Sequence, residues 1–400
     1  MKPLSKSMLK MQLSAIKVME RMARKQKGLL SLAQGIPYFP TPNHIVQKVF
    51  QALSSGEASY YTIPEGRKDL REEISKDIFS RSGRRFCPER EILVTSGAMA
   101  AIQATLLTLL DPGDEVIVLA PAYASYYGQI MTAKGVPVPL SCSEKEGLKE
   151  KIEKAVNYRT KAILLANPSN PTGVNLGEEE LRQIVQIAVQ EDLYLICDEV
   201  YRDFIWEGKH VSMASFPQLE DRLVLIYSFS KAFSMTGFRV GYLAAPAFLV
   251  EQIMKIHDNM VTCAPHPAQI AALEAIQGGQ KELQTRLEIL KKHRHQGIQL
   301  FSNLPYFEME YSPMAGYYLF LKVLGGSINS FEFAKYLLQE AGVATVPGIA
   351  FGPQGEGYIR ICYAVEWNRL EQAYFRIYQT LNRLSSWQPF LGSSKNSMGA

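Results

Sequence analysis

Between about residues 40 and 246, unbroken apolar runs alternate with stretches of helical spacing. EILVT (91–95) leads into MAAIQATLLTLL, which Asp111-Pro112-Gly113 stops. EVIVLA (115–120) follows, then a helical stretch near Tyr126 to Lys134, then KAILLA (161–166). GEEELRQIVQIAVQED opens on acidic residues and spaces its apolar positions for one helical face. LYLICD (193–198) and LVLIYS (223–228) complete the series. Apolar strands without alternation are covered on both faces, and strands separated by helices run parallel. The pattern predicts a three-layer α/β/α domain around a mostly parallel sheet. In such sheets a ligand sits beyond the carboxyl ends of the strands.

After Pro246 the pattern changes. Helical spacing runs from Phe248 to about Gln277 and again from Lys281 to Asn303. Two short strands follow, GYYLFLKV and GYIRICYA, with helices expected at Ser330–Glu340 and Glu366–Leu384. This reads as a smaller α+β domain on which an N-terminal helix packs. The expected division is 41–284 for the large domain, with 1–40 and 285–400 forming the small one. The terminal SSWQPFLGSSKNSMGA reads as disordered at its end. A chain of 400 residues suits two cores better than one.

Composition acts mainly by exclusion. A net charge of +4 without a long Lys/Arg run gives no footprint for nucleic acid. No apolar run approaches the ~20 residues that span a bilayer. The N-terminus carries charge throughout and lacks the apolar core of a secretory signal. Five scattered cysteines (Cys87, Cys142, Cys197, Cys263, Cys362) form no CxxC pair, which argues against zinc and disulfides and points to a reducing cytoplasm.

The chemistry-bearing residues gather at the strand ends. After EILVT, SGAMAA makes a small turn that opens a helix, where backbone N–H groups can hold an anion. After KAILLA comes NPSNPTG, a loop stiffened by two prolines and presenting Asn170. After LYLIC come Asp198, Glu199 and Tyr201. After LVLIY comes SFSKAFSMTGFRVGY, with Ser228, Ser230, Lys231 and Arg239. Each alone has an ordinary reading: a tight turn, a helix cap at Asp198, a solvated lysine, an edge ion pair at Arg239. Together they supply an anion cradle, an amide, a carboxylate with a phenol, and an amine. Those groups suit a phosphorylated aromatic aldehyde: an amine to condense with it, a carboxylate for its ring nitrogen, donors for its phenolic oxygen and phosphate.

NPSNPTG, DEVY and SFSKAFSMTGFRVGY, in this order, resemble the fold-type I, class I/II pyridoxal-phosphate aminotransferases, over about Ser31 to Ala364. The resemblance implies pyridoxal 5'-phosphate as cofactor and Lys231 as the catalytic amine and proton shuttle. It implies Asp198 for the ring nitrogen, Asn170 and Tyr201 for the phenolic oxygen, and Tyr123 stacked on the ring. The Gly97-Ala98-Met99 turn, Ser228 and Arg239 would bind the phosphate, joined by Tyr61 from the second subunit of a homodimer. Arg360, helped by Gly35 and Asn170, would clamp the substrate carboxylate. An unpaired charge in the apolar run YIRIC would otherwise be costly. Burial beside positive charge should lower the Lys231 pKa from ~10.4.

The implied reaction moves the amino group of an L-amino acid to a 2-oxo acid such as 2-oxoglutarate. Ala98 occupies a turn where some aspartate-using relatives place a basic residue. Ile16 and Tyr38, the latter where relatives have an aspartate in GxPDF, suggest an apolar mouth. A neutral or aromatic donor is therefore favoured, with aspartate as a further one; alternatively Ile16 and Tyr38 only pack the small domain. A carbon–sulfur β-lyase or related elimination enzyme on the same scaffold is the alternative reaction. A transcription regulator built on this module is not expected, because only about thirty residues precede the match.

Overall fold

The computed structural model describes residues 13–24, 28–141 and 147–384, with positions 2, 4, 5 and 9 before them. The C-terminal segment expected to be disordered lies outside the described residues, as does Cys142.

A seven-stranded sheet forms the centre. Its order across the sheet is Ile92–Thr95, Gly241–Ala244, Leu223–Ser228, Tyr194–Asp198, Thr160–Ala166, Glu115–Ala120 and Val136–Ser141. All pairings are parallel except the two made by Gly241–Ala244, which runs against its neighbours. The central strands are apolar throughout because helices cover both faces. One face packs Ile117, Ile163 and Leu195 against residues such as Leu181, Ile184 and Ala271. The other packs Val116, Leu164 and Val224 against Ile102, Leu106 and Ile253. Helix Glu178–Gln190 begins with three glutamates at its positive end and buries Leu181, Ile184, Val185, Ile187 and Ala188.

Two elements depart from the periodicity reading. Strand Val136–Ser141 was not expected, because VPVPLS has two prolines. It pairs only with Glu115–Ala120 at the sheet edge, where missing N–H donors are tolerated. The single helix expected from Phe248 to Gln277 is two helices, Ala247–Val261 and His266–Gly278. Thr262 takes φ 63° at the break, and Pro265 denies the continuing helix an N–H.

A second body carries an antiparallel sheet of Val346–Pro347, Tyr358–Cys362, Tyr318–Val323 and Phe307–Glu308. Leu30–Ser31 pairs in parallel with Val343–Ala344. N-terminal helix Ala15–Ala23 inserts Met19 beside Phe320, Ala334 and Leu338, so it packs on this body. Helix Gln280–Ser302 runs between the two bodies, and its Leu287 borders the cores of both. Among the described residues no helix is long and apolar enough to cross a membrane.

Candidate active site

Because six of the seven strands of the large sheet share a direction, their carboxyl ends open on one side. A cavity of about 400 Å³ lies there. Gly35, Ala98, Met99, Tyr123, Asn170, Asp198, Tyr201, Ser228, Lys231, Arg239 and Arg360 all line it.

Lys231 stands on the one-turn helix Phe229–Ala232, which starts where strand Leu223–Ser228 ends. Ser228 caps that turn by accepting from the Ser230 N–H. The Lys231 Nζ donates to the Gly35 carbonyl at 2.8 Å. Burial, then the positive charge of Arg360, lowers its pKa to about 8. Asp198 ends the strand Tyr194–Asp198. The Tyr126 hydroxyl donates to its Oδ2 at 2.7 Å, and the Val200 N–H to its Oδ1 at 3.2 Å. Burial raises the Asp198 pKa to about 6, although both hydrogen bonds and Lys231 act to lower it. A carboxylate held dry in this way gains from a cationic partner.

Arg360 is buried in the centre of the antiparallel sheet. Its Nη1 donates to Asn170 Oδ1 at 2.9 Å and its Nη2 to the Ala33 carbonyl at 2.6 Å. The guanidinium carbon lies 4.3 Å from the Tyr318 ring centre and 5.0 Å from that of Phe351. Its buried Nε has no partner, and no carboxylate pairs with it among the described residues. A guanidinium so held has the forked donor geometry that suits a carboxylate.

At the opposite end, Gly97 takes φ 83° and starts helix Ala98–Leu109. A Cβ at Gly97 would lie 2.8 Å from Arg239 Nη2, so the turn and the guanidinium touch. Arg239 is itself left-handed at φ 56°, a conformation costly for a side-chain-bearing residue. Its Nη1 donates to the Thr236 carbonyl, and no carboxylate pairs with it among the described residues. The start of that helix at Ala98 and Met99, Arg239, Ser228 and Ser230 all line the cavity, a set that suits an anion.

The family profile of class I and II aminotransferases matches residues 27–377. The chain belongs to that family. Aspartate aminotransferase from Pyrococcus abyssi is 34% identical over 373 residues, 92% of this chain and 95% of the relative. Aromatic-amino-acid aminotransferase 2 from Thermococcus litoralis is 32% identical with the same coverage. The solved structure of aspartate aminotransferase from Thermotoga maritima superposes with a TM-score of 0.88 at 33% identity, covering 95% of this chain and 100% of that one. The fold is that of the fold-type I aminotransferases, and the protein is a pyridoxal-phosphate-dependent transferase.

The aminotransferase cavity fits that cofactor on its own geometry. It offers a buried amine of depressed pKa, a dry carboxylate at the end of the neighbouring strand, a phenol and amide pair, and the turn at Gly97 against Arg239. Gly241 allows the turn to close, because a Cβ there would lie 2.6 Å from the Tyr227 carbonyl and 3.0 Å from the Ala98 nitrogen.

Tyr61, expected to serve the site of the second subunit, does not line this chain's cavity and is 83% exposed. Tyr38 is not at the mouth: its ring stacks on His293 at 6.0 Å and abuts Phe39. Its neighbour Ile36 and the helical Ile16 line the cavity instead.

Sequence reasoning missed Tyr126 and Tyr318. Tyr126 lies three residues after Tyr123 in PAYASYY, in the first turn of helix Ser125–Thr132, and its nearness to Tyr123 was a usable signal. Tyr318 gave none, because its alternation in GYYLFLKV reads as core. Its hydroxyl lies 2.8 Å from that of Tyr201, while its ring faces Arg360. Gly35 is required beside it, since a Cβ there would fall 2.0 Å from the Tyr318 hydroxyl.

Proposed function

We propose that this aminotransferase takes the amino group of a neutral or aromatic L-amino acid, with aspartate as a further donor, and passes it to a 2-oxo acid such as 2-oxoglutarate. The observation that carries the reading is Arg360: a buried guanidinium, oriented by Asn170 and Ala33, with an unsatisfied Nε and no carboxylate of this chain paired to it among the described residues. The α-carboxylate is the group that every amino acid and every 2-oxo acid share, so one receptor serves both half-reactions. The relatives named for aspartate and for aromatic amino acids support the donor range.

Pyridoxal phosphate, when bound, supplies an aldehyde for the amine and a ring that accepts the electron pair released at the α-carbon. The chain's residues do the rest. Lys231 Nζ takes the α-proton and returns it during the transfer; its pKa of about 8 makes the free amine available near neutral pH. Asp198 holds a proton on the ring nitrogen and is itself oriented by Tyr126 and the Val200 N–H. Tyr201 and Asn170 would donate to the phenolic oxygen, and Tyr123 would cover the ring. Arg239, Ser228 and the Gly97–Met99 turn would hold the phosphate, with Ser230 bonded to Ser228 beside them.

Tyr60, Tyr61, Ile63 and Phe50 are exposed. That apolar surface supports a homodimer in which Tyr61 reaches the partner's phosphate site. Cys87, Cys197, Cys263 and Cys362 are free thiols, which supports a cytoplasmic setting.

The test is the absorption spectrum of the loaded enzyme while single amino acids are added without a 2-oxo acid. Conversion of the aldehyde form to the amine form, fastest with neutral or aromatic donors, is expected. An unchanged spectrum accompanied by oxo acid and ammonia would mean elimination instead.

A further inference from the structure

The inference rests on the aminotransferase reading of the cavity and concerns how a second carboxylate is met. An acceptor such as 2-oxoglutarate carries two carboxylates, and each needs a cation in a partly dry site. Among the described residues, four cations line the cavity: Lys17, Lys231, Arg239 and Arg360. Lys231 serves the chemistry, Arg239 the phosphate and Arg360 the α-carboxylate. Lys17 has no task in that scheme, yet it borders the cavity beside Ser14, Ile16 and Ile36.

The local geometry suits a cation that changes partners. Lys17 lies on helix Ala15–Ala23, whose Met19 is fully buried against Phe320 and Leu338, so the base of the side chain is fixed. The lysine side chain itself is 64% exposed and has four flexible carbons. Its Nζ donates to Glu20 Oε2 at 2.8 Å. Glu20 has other donors: Arg24 Nη2 at 3.0 Å and Gln34 Nε2 at 3.4 Å, both on Oε1. Glu20 therefore keeps a cationic neighbour when Lys17 leaves it. An exposed pair three residues apart on a helix contributes little, so the exchange is cheap.

We propose that Lys17 is the specificity-determining cation for dicarboxylic substrates: it leaves Glu20 to bind the distal carboxylate, and stays on Glu20 when the substrate side chain is neutral or aromatic. The same cavity then takes both classes. The apolar Ile16 and Ile36 receive an uncharged side chain, and Lys17 answers a charged one. No basic residue is needed in the turn at Ala98.

The experiment uses two unreactive probes on the loaded enzyme, succinate and butyrate, with dissociation constants from calorimetry. Both offer Arg360 a carboxylate; only succinate offers a second. Lys17→Met should weaken succinate relative to butyrate by about two- to fivefold, the range of an exposed charge pair. Glu20→Gln should tighten succinate, because the competitor for Lys17 is gone. In the Lys17→Met/Glu20→Gln double variant that gain should vanish. An unchanged succinate-to-butyrate ratio in Lys17→Met, or a Glu20→Gln gain that persists without Lys17, overturns the proposal. Arg360→Met is the control for the underlying reading. If it fails to weaken butyrate, the cavity is not the carboxylate site and the fault lies there rather than with Lys17.

Discussion

Replacing Arg360 tests the carboxylate receptor most directly. In the native protein its two terminal nitrogens donate to Asn170 and Ala33, and its flat face is held between Tyr318 and Phe351. A guanidinium so fixed can meet a carboxylate with two parallel donors, each worth about 1.5–3 kcal/mol as a charge-assisted bond. Arg360→Lys keeps the charge but loses the fork, so about one such bond is lost. The expected fall in kcat/KM is about 10- to 150-fold. Arg360→Met loses both and should fall about 10²- to 10⁴-fold. The loss should be equal for amino acids and 2-oxo acids, since both present the same carboxylate. Steady-state kinetics in the two directions, over several substrate pairs, measures it. A loss confined to amino acids or to oxo acids would refute the reasoning. Stability gives a second check. Arg360 is a buried charge without a counter-ion among the described residues, so Arg360→Met should unfold at or above the wild-type temperature in the unloaded protein. A large drop in Tm would instead make Arg360 a structural residue.

The unloaded protein should show Lys231 titrating near 8. Borohydride trapping of its condensation with an added aldehyde should have a midpoint about there, against ~10.4 for surface lysines. The stability sign follows: between about 8 and 10.5 the unfolded chain binds the proton that the native lysine has lost, so Lys231 makes stability rise with pH there. Asp198 acts oppositely in its own window, holding a proton in the native state up to about 6, so stability falls as pH rises from 3.8 to 6. A lysine midpoint above 10 would remove the burial argument. Tyr61 is tested by mixing inactive Lys231→Ala with Tyr61→Ala. If sites are shared between subunits, each mixed dimer regains one intact site, about a quarter of wild-type sites in a statistical mixture. Activity no higher than the mean of the two separate variants would place Tyr61 outside the site.

The parts of the site that were legible in the sequence are those fixed by local chemistry. NPSNPTG, DEVY and SFSKAFSMTGFRVGY each sit at one strand end, and a parallel sheet brings strand ends together without further information. Three features required the third dimension. Tyr318 has the alternation of any core strand, and only the packing of two sheets puts its hydroxyl on Tyr201 and its ring on Arg360. Tyr38 reads as a mouth residue from its place after Gly35, but its ring found His293, far along in sequence. Lys17 is one charge among many in the N-terminal segment until the burial of Met19 fixes the face that looks on the cavity. The helix break at Thr262 was written in Pro265 and Pro267, and the strong apolar spacing on either side outweighed it.

The cavity wall is drawn from nearly the whole described chain, from Ser14 to Arg360. The hydrogen bond from Lys231 to Gly35 spans 196 positions, and that from Arg360 to Ala33 spans 327. Both contacts form only when distant parts of the chain have met. A nascent or clipped chain lacking its final strand would hold Lys231 and Asp198 yet lack Arg360. Catalytic competence in this protein is thus a property of the finished chain, and it reports on completed folding more stringently than secondary structure does.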